Sequence, residues 1–147
     1  MINCVESKIT DAQNQSLLEP FIAEDVQTAV FYMHPNKFPG PDGMNPSFHQ
    51  KFWHVVGTNI TEACLRFIGD CTFLDGLNET SIFLIPKRKQ PEFFTNVLPI
   101  SLCNVLYKIV AKMLANHMKM VLGSIISYSQ SAFVSCRAIS DNVLISA

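Results

Sequence analysis

Residues 104–122 read NVLYKIVAKMLANHMKMVL and carry the strongest periodic pattern in the chain. Its apolar residues recur every three or four positions, which is typical of one face of an amphipathic helix. This helix would end at Gly123. Lys108, Lys112 and Lys119 fall on the other faces of the same helix. The stretch therefore predicts a long helix whose apolar side packs against a protein core. The apolar residues that recur every three or four positions are Leu106, Ile109, Val110, Met113, Leu114, Val121 and Leu122.

The composition indicates a folded domain or a piece of one. The chain has 147 residues, of which 48% are hydrophobic and 16% charged. Soluble domains usually carry about 25% charged residues and span about 100–200 residues. A disordered tail, a collagen-like repeat and a coiled coil are excluded. The low charge predicts that some apolar surface lacks a partner within the chain, so we expect self-association through it.

Charge is distributed unevenly along the chain, although the formal net charge is only −1. Residues 1–79 hold 4 basic and 10 acidic side chains, whereas residues 80–147 hold 7 basic and 2 acidic ones. A basic second half suggests an anionic partner. A chance arrangement of solvated faces would give the same numbers, so both interpretations stay open at this point.

No segment predicts a membrane span, a secretory signal or a metal site. The longest uncharged run, residues 120–136, is interrupted by serines and a glycine, and the N-terminus lacks a basic and apolar leader. Five cysteines without a C-x-x-C pair favour reduced thiols and no zinc. We therefore expect a protein inside the cell, in the nucleus or cytoplasm, with no membrane partner and no bound metal.

The N-terminal part predicts an irregular segment, residues 1–20, followed by a helix. Val26, Ala29, Val30 and Met33 form an amphipathic stripe that must end before Pro35. The acidic pair at residues 24–25 opens this helix. Adjacent side chains point in different directions, so we interpret the pair as complementing the helix dipole rather than as a catalytic pair.

A second helix is expected after a compact loop at residues 36–43. Asn45 is a good N-cap and Pro46 a good first helical residue, and the helix should run to about residue 68 and end at Gly69. His49 and His54 are five residues apart, which is the wrong spacing for a metal pair, so we expect both on the surface. The residues expected to be buried are Phe48, Phe52, Val55, Val56, Ala63, Cys64 and Phe67.

A short apolar run, residues 81–85, predicts a buried strand ended by Pro86. The basic triplet Lys87, Arg88 and Lys89 follows it directly. Its position at the end of a buried strand favours phosphate binding, although such a triplet is also typical of a solvated turn. Pro91 and Pro99 bracket a second extended stretch, and a short helix should begin near residues 140–141. The fold class is α+β and mostly helical, with too few strands for a complete sheet.

Six linked strings resemble the reverse transcriptases of non-LTR (LINE-type) retrotransposons, particularly the plant branch. Their order and spacing are similar to those of that family from about residue 18 onward. The strings are FPGPDG (38–43), FHQKFW (48–53), LIPK (84–87), PISLCNVLYK (99–108), IIS (125–127) with QSAFV (130–134), and DN (141–142).

The resemblance implies a right-hand polymerase, with residues 21–147 supplying the fingers and the start of the palm. RNA template and DNA primer would be its partners, and Mg²⁺ its cofactor in the complete enzyme. Lys87 matches a fingers lysine that contacts triphosphate or template backbone, and Arg137 matches an arginine near the template strand. Arg88 and Lys89 would add backbone contacts. A plain surface charge is the alternative for each of them.

The resemblance also implies that this chain does not polymerise alone. In the family, the first catalytic aspartate lies downstream of the string at residues 141–142, and no Asp-Asp pair occurs in this sequence. We therefore expect no catalytic residue, no metal ligand and no cofactor bound by this fragment. Leu98, His117 and Cys136 stand where the family has arginine, arginine and glycine, which is typical of a degenerate copy. The alternatives are a non-catalytic RNA- or DNA-binding module retained from a retrotransposon, and a nonfunctional product.

Overall fold

The computed structural model describes residues 8–72, 75–127 and 130. These residues form helices and one two-stranded sheet, in two compact units. One unit is residues 21–113, and the other contains the described parts of residues 1–20 and 114–147. In chain order the elements are α1 (Asp11–Leu17), α2 (Ala23–Phe31), α3 (Pro46–Lys51), α4 (Trp53–Asp70), β1 (Thr80–Pro86), β2 (Val97–Cys103) and α5 (Val105–Ile125).

The core of the unit formed by residues 21–113 lies among α2, α4 and the first half of α5. The stripes predicted for α2 and α5 are confirmed there, because their apolar residues at helical spacing are the buried ones. Leu114 is 45% exposed, and Leu106 and Leu122 are only half-buried. The buried residues of this core are Val26, Ala29, Val30, Met33, Ile60, Cys64, Val105, Ile109, Val110 and Met113.

Helix capping explains how α1 and α2 begin. The Thr10 hydroxyl accepts a hydrogen bond from the Gln13 amide, and the Gln13 side chain accepts one from the Thr10 amide. This capping box makes residues 11–17 helical, so the expectation of an irregular N-terminal segment is wrong there. Asp25 accepts a hydrogen bond from the Ile22 amide at 2.9 Å, which supports a capping role for the acidic pair rather than a catalytic one.

The predicted helix of residues 46–68 is two helices, α3 and α4. Its start is confirmed, because the Asn45 side chain accepts from the Phe48 amide and Pro46 is the first helical residue. Phe52 then leaves the helical conformation, at φ −102° and ψ 21°. Its side chain and that of Val55 are 40% and 64% exposed, contrary to expectation. Cys64 is buried as expected and Ile60 joins it in the core. The other expected core residues are half-buried, namely Phe48, Val56, Ala63 and Phe67.

Two further details of this region differ from expectation. Gly69 lies within α4, which ends at Asp70, and Cys71 adopts the left-handed conformation at φ 53° that a glycine was expected to supply. His49 is buried rather than on the surface. Its Nδ1 lies 3.0 Å from the Asn45 carbonyl oxygen, which satisfies the ring nitrogen away from water. His54 is exposed, as expected.

The predicted strand exists, but it is exposed rather than buried. β1 pairs antiparallel with β2, from Thr80 opposite Cys103 to Pro86 opposite Val97. All residues of β1 except Ser81 are exposed, because among the described residues the sheet has only these two strands to shield it. The stretch between the two prolines is not wholly extended, since residues 94–96 form a 3-10 turn and Pro99 lies inside β2.

α5 begins one residue later than predicted and runs past the expected stop. It ends at Ile125, and Gly123 lies within it. The helix expected near residues 140–141 lies outside the described residues. In the described part of the chain, no helix has both the length and the apolar composition that a bilayer span requires.

The buried thiol of Cys64 makes the stability of the fold sensitive to alkaline pH. Burial raises the pKa of Cys64 to about 12, because the thiolate loses its hydration in the core. A group with a raised folded-state pKa stabilises the fold below its unfolded pKa of about 8.5, and that stabilisation is lost as the pH rises toward the folded value.

We expect the free energy of unfolding to fall more steeply above about pH 9 in the parent than in Cys64→Ala. Urea denaturation followed by circular dichroism across the alkaline range measures this. The variant is less stable at every pH because it lacks a core side chain, so the comparison concerns the slopes alone. Parallel slopes would contradict a buried, neutral thiol.

Candidate nucleic-acid interface

The basic triplet lies where β1 ends and the connection to β2 begins. Lys87, Arg88 and Lys89 are all exposed. The Lys87 amide donates to the Asn96 carbonyl at 2.8 Å, which extends the strand pairing by one step. The Lys87 Nζ donates to the Thr95 carbonyl at 3.2 Å. The ammonium retains two further donors, so the triplet presents three cations at one end of the two-stranded sheet.

The loop of residues 38–43 packs directly on the start of α5. A Cβ at Gly40 would fall on the backbone nitrogen and side-chain oxygen of Asn104. Only glycine permits this close approach of two backbones. Two of the strings that carried the family resemblance, residues 38–43 and 99–108, are thus in contact although about 60 positions separate them in the sequence.

Asn104 is the residue that joins these segments, and sequence reasoning assigned it no role beyond the helix start. Its side chain is 4% exposed and accepts a hydrogen bond from the Asp42 amide at 3.3 Å. Its Nδ2 donates to the Gly76 carbonyl at 3.3 Å. In the sequence, Asn104 is marked only by its position immediately before a helix. That position does not identify hydrogen-bond partners as distant in sequence as Asp42 and Gly76.

Two lysines of α5 reach toward the segment that follows α2. The Lys108 Nζ donates to the Phe38 carbonyl at 2.8 Å. The Lys112 Nζ lies 5.8 Å from the centre of the Tyr32 ring, within cation–π range. The sequence placed these lysines on the faces of α5 away from its apolar stripe and assigned them no contact. The structure shows that each has a specific contact with residues 32–38.

The two basic regions lie at opposite ends of the sheet. The triplet follows Pro86, whereas Asn104 and the lysines of α5 follow Cys103, which pairs with Thr80 at the other end. Seven residues at about 3.3 Å each separate the ends by roughly 20 Å. The structure does not bring the triplet and the α5 lysines together, and Arg137 lies outside the described residues.

Within residues 8–72 and 75–127, no group of three or more His, Cys, Asp or Glu side chains is arranged to hold a metal ion. The cysteines Cys64, Cys71 and Cys103 carry free thiols. What the described residues offer an anionic ligand is a set of lysines, the two exposed arginines Arg66 and Arg88, and exposed aromatic rings.

Comparison with models of known protein families finds no match for the chain. The chain is similar to a curated protein described as the transposon TX1 uncharacterized 149 kDa protein of Xenopus laevis. The two are 29% identical over 137 residues, which cover 93% of this chain and 10% of that protein. The similarity thus extends along almost all of this chain, which spans about a tenth of the length of that relative.

Proposed function

We propose that this chain derives from a LINE-type retrotransposon, of the plant branch, and represents the fingers and early palm of its reverse transcriptase. The observation that carries the proposal is the similarity to a transposon protein over 93% of the chain. That similarity gives independent support to the six ordered strings that resemble this family of RNA-directed DNA polymerases. A nucleic acid is the partner that this proposal implies.

The proposed role of this portion is to hold template and primer rather than to catalyse. We assign no step of phosphoryl transfer to the described residues, because they contain no cluster of carboxylates that would bind the two metal ions such chemistry requires. The function of the chain by itself is electrostatic: exposed cations bind phosphates of the RNA template and the DNA primer. We expect the 147-residue polypeptide to extend no primer.

Lys87, Arg88 and Lys89 are the proposed contacts, because they are exposed and adjacent. Lys87 is the most firmly held of the three. Its amide donates to the Asn96 carbonyl at the end of the sheet, and its Nζ donates to the Thr95 carbonyl. An anchored side chain loses less entropy when it binds a phosphate. The acidic side chain of this connection is Glu92, so the local charge remains positive.

We expect the triple variant Lys87→Ala, Arg88→Ala, Lys89→Ala to bind a labelled RNA–DNA hybrid with a single-stranded RNA overhang about 10- to 100-fold more weakly than the parent at low salt. Fluorescence polarisation measures the affinity. The slope of log affinity against log salt should also become shallower by about 2, because fewer counterions are released.

The matched control removes three cations elsewhere, with Lys8→Ala, Lys51→Ala and Arg66→Ala. All three side chains are exposed. Equal losses in the two triple variants would mean that only overall charge matters and would contradict a defined contact at residues 87–89.

The second candidate is a binding module without a polymerase role, which the exposed basic triplet would serve equally well. The two candidates differ in what they recognise. A polymerase portion should bind a recessed primer end better than a blunt hybrid of the same length, whereas a general binding module should bind both equally. The same polarisation assay with a blunt hybrid distinguishes them.

A further inference from the structure

We propose that a second surface of this chain binds single-stranded nucleic acid by stacking bases on two exposed rings. The surface, here called the aromatic–lysine surface, consists of Tyr32, Phe38, Lys37, Lys108 and Lys112. It differs from residues 87–89 and needs no polymerase assignment, because it is inferred from exposure, charge and contacts alone.

The two rings are among the most exposed large side chains of the described residues. Tyr32 is 76% exposed and Phe38 75%. Phe31, by contrast, packs edge-on against Trp53, with ring centres 6.1 Å apart. Packing explains the position of Phe31, but it does not explain why Tyr32 and Phe38 leave most of their surface in water. Exposed rings offer flat faces on which a nucleobase can stack.

Two lysines of the same helix contact the residues that carry these rings. Lys112 lies over the Tyr32 ring and Lys108 holds the Phe38 backbone, at 5.8 Å and 2.8 Å respectively. Residues 108 and 112 are one helical turn apart, so their side chains are neighbours at about 5–6 Å. The Tyr32 ring and the Phe38 backbone are therefore held by adjacent lysines, and Lys37 adds a third cation next to Phe38 in the sequence.

The lysines keep capacity for a ligand. An ammonium has three donors, and the contact with the Phe38 carbonyl uses one donor of Lys108. Two carboxylates lie nearby: Glu24 lines a surface pocket together with Tyr32, and Asp42 follows Phe38 in the loop. Three lysines outnumber these two carboxylates. The surface therefore presents a positive field beside two apolar rings.

This combination favours a single strand over other anionic partners. Positive side chains bind the phosphates of any nucleic acid, and aromatic rings stack with bases that are not already paired. In a duplex both faces of each base are covered by neighbouring bases. We therefore expect the aromatic–lysine surface to distinguish a single strand from a duplex.

The test uses the full chain, a labelled oligouridylate, a labelled oligothymidylate and a blunt RNA duplex, in a fluorescence polarisation assay. The double variant Tyr32→Leu, Phe38→Leu keeps apolar side chains but removes both rings. We expect it to bind either single strand about 10-fold or more weakly than the parent, with duplex binding nearly unchanged. Tyr32→Phe, which keeps the ring, should bind like the parent.

Lys112→Met tests the electrostatic part, and it should lower the affinity and make the salt slope shallower by about 0.7. Phe94→Leu and Arg66→Met are the matched controls, because these side chains are highly exposed and lie elsewhere. Phe94→Leu should bind a single strand nearly as the parent does. Arg66→Met should lose some affinity, but less than Lys112→Met. Circular dichroism melting of every variant verifies that the helices persist.

Four results would overturn the inference. The first is single-strand binding by the double variant that equals that of the parent. The second is a loss of single-strand affinity in Phe94→Leu as large as that in the double variant. The third is a double variant that loses self-association but keeps nucleic-acid binding, which would identify the surface as a protein contact. Loss of single-strand binding only in the triple variant at residues 87–89 would also refute it, while leaving the proposed function intact.

Discussion

Gly40→Ala is expected to destabilise the fold by about 1–3 kcal/mol, because the new methyl group overpacks a contact between two backbones. The Cβ would fall on the Asn104 nitrogen and the Cys103 carbonyl carbon, neither of which can rotate away as a flexible side chain would. Moving Asn104 would also strain its hydrogen bond from the Asp42 amide. Urea denaturation followed by circular dichroism gives the free energy of unfolding.

Gly69→Ala is the matched control, and its effect should have the opposite sign. Gly69 lies within α4, and nothing is within 4 Å of the position that its Cβ would occupy. Alanine in a helix is favoured over glycine by about 0.5–1 kcal/mol, so this variant should be more stable than the parent. A Gly40→Ala protein as stable as Gly69→Ala would show that the loop of residues 38–43 does not pack on Asn104.

The two-stranded sheet is expected to drive self-association of the isolated chain. Paired residues share a face, so Phe83 and Ile100 lie on one face and Leu84 and Pro99 on the other. Phe83 and Leu84 are 56% and 52% exposed. Both faces are thus apolar and open, and strands with unpaired edges are prone to pair with another chain.

The double variant Phe83→Lys, Leu84→Lys places one charge on each face. Burying a large apolar side chain contributes about 1.5–3 kcal/mol, so removing two such contacts should raise the dissociation constant of the complex by at least about 100-fold. Sedimentation velocity over a concentration series measures it, and binding of a hydrophobic dye should fall in parallel.

Val55→Lys is the control for this variant, because Val55 is 64% exposed but lies on a helix. It should associate as the parent does. A parent that remains monomeric throughout the series would contradict the assignment of the sheet as the contact surface. Association that Val55→Lys suppresses as strongly as the double variant would place the contact elsewhere.

Local signals were sufficient for α2, for α5 and for the start of α3, whereas α1 was missed although its capping box is equally local. The stripe beginning at Val26 and the cap formed by Asn45 and Pro46 depend on residues within one or two turns, and each is confirmed in the structure. The basic triplet was also found from sequence, because charge and position after a strand are visible there. The break at Phe52 was missed, since no glycine or internal proline marks it.

The sequence by itself determined which segments are helical or extended, because periodicity and capping act over a few residues. Only the tertiary structure decided what those segments contact. The pairing of β1 with β2, the burial of His49 and the packing of Gly40 on Asn104 each depend on a neighbour that local pattern does not identify. Lys108 and Lys112 show this most clearly, because helical periodicity placed them on solvated faces and folding gave them Phe38 and Tyr32 as partners, 70 and 80 positions away. Contacts between residues so far apart in sequence form only when the chain closes long loops. The residue pattern within a few helical turns does not show which distant segment a residue will contact.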